Sequence, residues 1–128
     1  MKVRHPMFIH YVRDMARARH FYKTVFDVQS SFESPGWSTL DFGVVELALH
    51  ILSPEDVEAP IPHAGVNFEI GGSFAIDGSK DSIEDMQGVI ESCGGQLREL
   101  REPDNFVPVR VASFVDCEGN GFELRQAV

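Results

Sequence analysis

Residues 14–25 and 82–93 of this 128-residue chain carry the same apolar pattern, and that repetition limits what the chain can become. Met15, Ala18, Phe21, Tyr22 and Val25 fall at i, i+3, i+6, i+7 and i+10, the one-sided spacing of an amphipathic helix. Ile83, Met86, Val89, Ile90 and Cys93 repeat those intervals. Asp14 and Ser82 are suitable N-caps, and Asp85 stands where a capping box would place it against Ser82. Asp14 with Ser82, Met15 with Ile83, Phe21 with Val89, Tyr22 with Ile90 and Pro35 with Pro103 are each 68 residues apart. A duplicated module accounts for this regularity.

Strand-like runs surround both helices. The first module has them at 7–12, 28–33, 37–42 and 44–52, and the second at 65–70, 96–102, 107–115 and 121–126. The expected order is therefore βαβββ, twice, an α+β domain with modules at 1–53 and 65–128. Pro35-Gly36 and Gly43 mark turns. Gly94-Gly95 ends the second helix, whereas Asp27 must end the first, at a cost if it turns left-handed. Residues 54–64 contain Pro54, Pro60 and Pro62 and read as a linker. Residues 71–80 have no counterpart in the first module, and Phe74 and Ile76 would be the apolar tip of a surface loop or of a flap over a site.

A chain of this length buries a core as one domain. Hydrophobic residues at 43% and charged residues at 24% indicate a globular chain, and no apolar run is long enough to span a bilayer. The amino terminus lacks a secretory pattern, so a soluble, cytoplasmic protein is expected. Cys93 and Cys117 form no Cys-x-x-Cys pair, which argues against a disulfide framework or a thiolate metal site. A net charge of −9 repels phosphate backbones and excludes nucleic acid as the expected partner.

Each helix must bury its stripe on one sheet face, so alternate strand residues face the other way. Leu47, Leu49 and Ile51 oppose Glu46, Ala48 and His50; Phe122 and Leu124 oppose Gly121, Glu123 and Arg125. Phe8 and Val12 fit the helix side, leaving Met7, Ile9 and Tyr11 for the other face, with His5 on the same alternation and Asn67 and Glu69 following the rule in the fifth strand. A concave face carrying Glu46, Glu69, Glu123, His50, Asn67, Met7 and Tyr11 is too polar to be simply core. Gathered carboxylates favour a bound cation, a raised pKa or exposure to water.

Three segments carry a family resemblance: Tyr11-Val-Arg-Asp-Met-Ala-Arg-Ala-Arg-His-Phe-Tyr22, Val45-Glu-Leu-Ala-Leu-His50 and Asp116-Cys-Glu-Gly-Asn-Gly-Phe-Glu-Leu124. The chain resembles the vicinal oxygen chelate superfamily, which includes glyoxalase I, extradiol dioxygenases, and fosfomycin- and bleomycin-resistance proteins. The resemblance implies paired βαβββ modules around a small-molecule cup, and commonly a homodimer, in some members with one chain's module completing the other's cup. In glyoxalase I it implies four ligands for Ni or Zn on the first, fourth, fifth and eighth strands. Carried over, these fall on Met7, Glu46, Asn67 and Glu123. The two glutamates match; Met7 and Asn67 do not, because thioether and amide are poor replacements for imidazole. His5 and Glu69 lie two residues from those points, about 6 to 7 Å along a strand, which is far for bonds near 2 Å.

Two functions follow from the resemblance. One is a protein of the bleomycin-resistance kind, holding an aromatic or cationic molecule without the full metal site, with Trp37 and Tyr11 as stacking surfaces and His50 at the rim. The other is a lactoylglutathione lyase-like enzyme, with Glu46 and Glu123 on a divalent metal and Glu123 as the base that isomerises a hemithioacetal.

Overall fold

The computed structural model describes residues 7–53, 55, 66–70 and 82–126, and of Val66, Asn67, Glu69 and Ile70 it describes the backbone only. His5, the expected loop over 71–80 with Phe74 and Ile76, and the expected linker apart from Glu55 lie outside the described residues.

The repeat is realised as two βαβββ modules. The first comprises β1 (Met7–Val12), α1 (Met15–Phe26), β2 (Gln29–Glu33), β3 (Trp37–Asp41) and β4 (Glu46–Ile51). The second comprises β5 (Val66–Ile70), α2 (Ile83–Ser92), β6 (Gln96–Arg101), β7 (Arg110–Val115) and β8 (Gly121–Gln126). The sheets run β1-β4-β3-β2 and β5-β8-β7-β6. Each has one parallel pair at the edge begun by the module's first strand and antiparallel pairs elsewhere. The strands were legible as elements, with differences at their ends. β7 starts at Arg110 rather than 107, because the Asp104 carboxylate accepts from the backbone N–H groups of Phe106 and Val107, both at 2.8 Å, and folds that stretch into a turn. β4 starts at Glu46 because Phe42 donates to the Val45 carbonyl at 3.0 Å around Gly43, whose φ of +92° suits glycine.

Both helices begin as their caps dictate. Asp14 accepts from the Arg17 N–H and Ser82 from the Asp85 N–H. α1 ends on Asp27 in the left-handed region at φ 51°, and Gly94 takes that conformation after α2. Met15, Ala18, Phe21, Tyr22 and Val25 of α1 are buried, as are Ile83, Met86 and Ile90 of α2. These pack with Leu40, Leu47, Leu49, Ala112, Phe114, Phe122 and Leu124 into one core shared by both modules. Phe122 of β8 stands edge-on to Phe21 and Tyr22 of α1, and Phe26 contacts Phe68 of β5 with centroids 4.6 Å apart. Truncating a buried aromatic such as Phe21 to alanine in such a core costs about 3–5 kcal/mol.

The shared core has a geometric consequence. Both sheets turn their helix side inward, so the opposite faces, which carry Glu46 and Glu123, are turned away from the core. Each module thus presents a half-cup to the outside.

Candidate functional site

The first half-cup is laid out by the β1–β4–β3 register. Met7, Glu46 and Asp41 form one row, Ile9, Ala48 and Thr39 the next, and Tyr11, His50 and Trp37 the third. The third row is an aromatic cluster: the His50 ring lies 5.1 Å from Tyr11 and 5.6 Å edge-on to Trp37. The His50 Nδ1 donates to the Ile51 carbonyl at 2.7 Å, which orients the exposed ring. In the first row, Glu46 is half-buried and accepts from Ser31 Oγ at 3.4 Å. Ser31 reaches it because β2 carries a bulge between Ser30 and Phe32, and the same hydroxyl lies 2.6 Å from Thr39 Oγ1. β6 carries the corresponding bulge between Leu97 and Glu99.

The second half-cup centres on Glu123, half-buried and accepting from Ser113 Oγ at 3.1 Å. The backbone register sets Asn67 beside Glu123 and Glu69 beside Arg125. A cavity of about 620 Å³ lies here, lined by Arg98, Glu99, Ser113, Phe114, Gly121, Phe122 and Glu123. A second, of about 380 Å³, is lined by Glu99, Arg101, Val107, Val111, Ser113 and Glu123. Both are walled by the second module alone, while Glu46 lies on the other sheet.

The structure therefore brings Met7 to Glu46, gathers Tyr11, His50 and Trp37, and sets the Asn67 backbone beside Glu123. It does not join the Glu46 row to the Glu123 row. Among the described residues no group of three or more His, Cys, Asp or Glu side chains is close enough to hold a metal ion. The donor set itself fits a Ni or Zn centre poorly, since each glutamate has a thioether or an amide position at its side where an imidazole would bind such ions.

A second cluster carries the Asp116…Asn120 motif and joins the modules. Asp116 Oδ2 accepts from the Tyr22 hydroxyl at 2.5 Å, and Oδ1 accepts from the N–H groups of Glu118 and Asn120 at 2.8 and 2.9 Å. Since the Tyr22 proton goes to Asp116, its oxygen accepts from His10 Nδ1 at 2.9 Å. Burial above all, and then the Asp116 charge, push the Tyr22 phenol well above the ordinary tyrosine range. Glu118 accepts from the backbone N–H groups of Arg13 and Asp14 at 2.8 and 3.0 Å and from the Arg17 guanidinium at 2.8 Å. That places a carboxylate at the positive end of α1. Asn120 Nδ2 donates to the Tyr11 carbonyl at 2.9 Å. The turn before β8 thereby fixes the end of β1, so the strand bearing Glu123 and the strand bearing Tyr11 are held by the same five residues.

His10 and Glu118 were not singled out in the sequence. His10 falls on the alternation of Phe8 and Val12, so it was a polar residue on the expected helix side; there His10 and Val12 are buried, whereas Phe8, expected on that side too, is exposed at the start of the strand. Glu118 gave no such signal, because its partners lie about a hundred residues away. Both cysteines are free, and burial first, then the Asp116 charge, push the Cys117 thiol up to about 12, which disfavours the thiolate.

No protein-family model matches the chain, and no curated protein matches its sequence. Solved structures do match. A glyoxalase/bleomycin resistance protein/dioxygenase family enzyme from Burkholderia phytofirmans PsJN superposes with a TM-score of 0.75 at 19% identity, over 95% of this chain and 97% of that one. The chain has the vicinal oxygen chelate fold. The fosfomycin resistance protein FosX from Listeria monocytogenes, in complex with Mn(II) and sulfate, shares the fold at a TM-score of 0.70 and 14% identity, over 99% of this chain and 90% of that one. Lactoylglutathione lyase from Agrobacterium tumefaciens shares it at 0.66 and 14%, over 98% and 92%. At these identities the likeness is one of fold.

Proposed function

We propose that the chain binds a small aromatic or cationic molecule in a cup completed by a second copy, the Tyr11–His50–Trp37 face of one chain opposing the Glu123 face of the other. The observation that carries this reading is the company each glutamate keeps: Met7 beside Glu46 and Asn67 beside Glu123. Carboxylates flanked by a thioether and an amide suit a cationic guest better than a Ni or Zn ion. Pairing is supported by β1, which is an outer strand of its sheet and exposes Met7, Phe8, Ile9 and Tyr11 in near succession.

The retained glutamates favour one second reading, a lactoylglutathione lyase-like isomerase. Metal analysis of gently purified protein, followed by assay of methylglyoxal and glutathione with added Ni, Zn, Mn or Mg, separates the two. Absence of turnover under every condition supports the binding reading. Stoichiometric metal, with activity abolished by Glu123→Gln, overturns it in favour of the lyase. Sedimentation equilibrium tests the pairing, with a dimer as the expected outcome.

A further inference from the structure

The third row of the first half-cup holds the side-chain type that changes charge between pH 5 and 8, and its geometry confines that change to one atom. His50 stands between Tyr11 of β1 and Trp37 of β3, with ring centroids at 5.1 and 5.6 Å. The Ile51 carbonyl that Nδ1 meets at 2.7 Å can only accept, so Nδ1 carries its proton whether the ring is neutral or charged. Titration therefore occurs at Nε2, which has no partner among the described residues. A neutral ring offers a lone pair there, and a charged ring offers an N–H. One atom thus inverts the polarity of the row while the bond to Ile51 keeps the ring in place.

Among the described residues, little else on this face competes with that atom. The middle row, Ile9, Ala48 and Thr39, is uncharged, and Phe32 of β2 lies beside Thr39. On β4 the nearest charge is Glu46, four residues or about 13 Å along the strand, with Asp41 of β3 opposite it. Tyr11 is the only titratable side chain that β1 turns to this face, since His10 is buried on the other. Glu33 of β2 is turned to Arg19 and Lys23 of α1, and Arg13 lines a cavity with Met15 and Arg19 on the helix side. In the proposed cup the opposing charge is Glu123 of the second copy. We infer that His50 is the specificity-determining residue of this face: its neutral ring accepts from the ammonium of an aromatic amine packed on Tyr11 and Trp37, and its charged ring takes an aromatic carboxylate instead. The inference rests on the reading of this face as a ligand site and adds how the site chooses between charges. The faces of Tyr11 and Trp37 favour a cation when His50 is neutral. An imidazolium in contact with an ammonium reverses that preference, by about tenfold in affinity even at a partly wetted surface.

The chain contains one tryptophan, so the fluorescence of Trp37 reports on this row alone. The test is titration of the full chain with benzylamine and with benzoate between pH 5.5 and pH 8 at constant ionic strength, for the parent protein and for His50→Gln. The ring of His50 is followed separately through its Cε1 proton resonance. The expected result is that benzylamine binding weakens about tenfold as pH falls and that benzoate binding strengthens by a similar factor. Both should share the midpoint of the His50 resonance, and His50→Gln should abolish both dependences. If both probes bind but their pH dependence does not follow the His50 resonance, or persists in His50→Gln, the role of His50 is overturned and the ligand face stands. If neither probe changes the Trp37 fluorescence at any pH, the reading of the face fails and the role of His50 with it. A dependence that survives His50→Gln and disappears in Glu123→Gln would also overturn the inference, assigning the titration to the opposing carboxylate. Since His50 is exposed, circular dichroism should show an unchanged fold in His50→Gln, and the match of midpoints in the parent protein tests the inference without any variant.

Discussion

Asp116 is the residue on which most of the inter-module geometry converges, and its chemistry sets a testable pH dependence. Its carboxylate holds the Tyr22 phenol as a neutral donor inside the core. A folded-state pKa raised above the unfolded value of about 10 means that the stability contributed by Tyr22 is fully present below about pH 10 and is lost as pH rises toward the folded value. Urea denaturation should therefore show stability falling above pH 10, with Tyr22→Phe flattening that fall. At neutral pH, Asp116→Asn is expected to cost about 2–4 kcal/mol and Tyr22→Phe about 1–2 kcal/mol, with the double variant costing clearly less than their sum. Additive costs would refute a direct coupling. None of this was visible in the chain read alone: Asp116 and Tyr22 both lay in motifs of the family resemblance, but a motif does not say that its members touch.

At the scale of elements, local chemistry read from the sequence placed the helices and their caps, and it missed where a turn's own hydrogen bonds trimmed a strand, as at Asp104 before β7, and where a distant partner set the requirement. The caps Asp14 and Ser82, the periodic helices and the left-handed Asp27 followed from neighbours within a few residues. Asp27→Gly should therefore stabilise the protein by about 0.5–1 kcal/mol, measured by thermal or urea unfolding, because glycine adopts φ 51° without the strain on a Cβ. Gly95 is the opposite case. The pair Gly94-Gly95 was legible as a helix stop, but Gly95 has a reason of its own: a Cβ there would stand 2.5 Å from Ile90 Cγ2 and 2.8 Å from the Val115 carbonyl oxygen. Gly95→Ala should cost about 1–3 kcal/mol in the same measurement, because the exit of α2 would have to move off β7. The bulges at Ser31 and Arg98 were likewise hidden, since an extra residue in one strand is defined only by its partner.

For the whole molecule, alternation in the strands assigned Glu46 and Glu123 to faces turned from the helices, and the burial of Leu47, Leu49, Phe122 and Leu124 in the core beside half-buried Glu46 and Glu123 agrees with that alternation. It could not say which faces oppose each other, because that depends on how the two helix layers share a core. The shared core leaves two outward half-cups on a chain of net charge −9, and this makes the proposed pairing sensitive to salt in a definite direction. The surface offered by β1 is apolar, so little of the attraction between copies is ionic, whereas two like-charged chains repel over a distance set by the Debye length. Raising ionic strength from about 0.01 M to about 0.15 M shortens that length from roughly 30 Å to roughly 8 Å. Self-association measured by sedimentation equilibrium should accordingly tighten over this range, and Ile9→Asp, which places a charge on the outer strand, should weaken it at both. Association that loosened with salt would mean that ion pairs rather than the β1 edge hold the copies together, and the cup would have to be assembled from other faces.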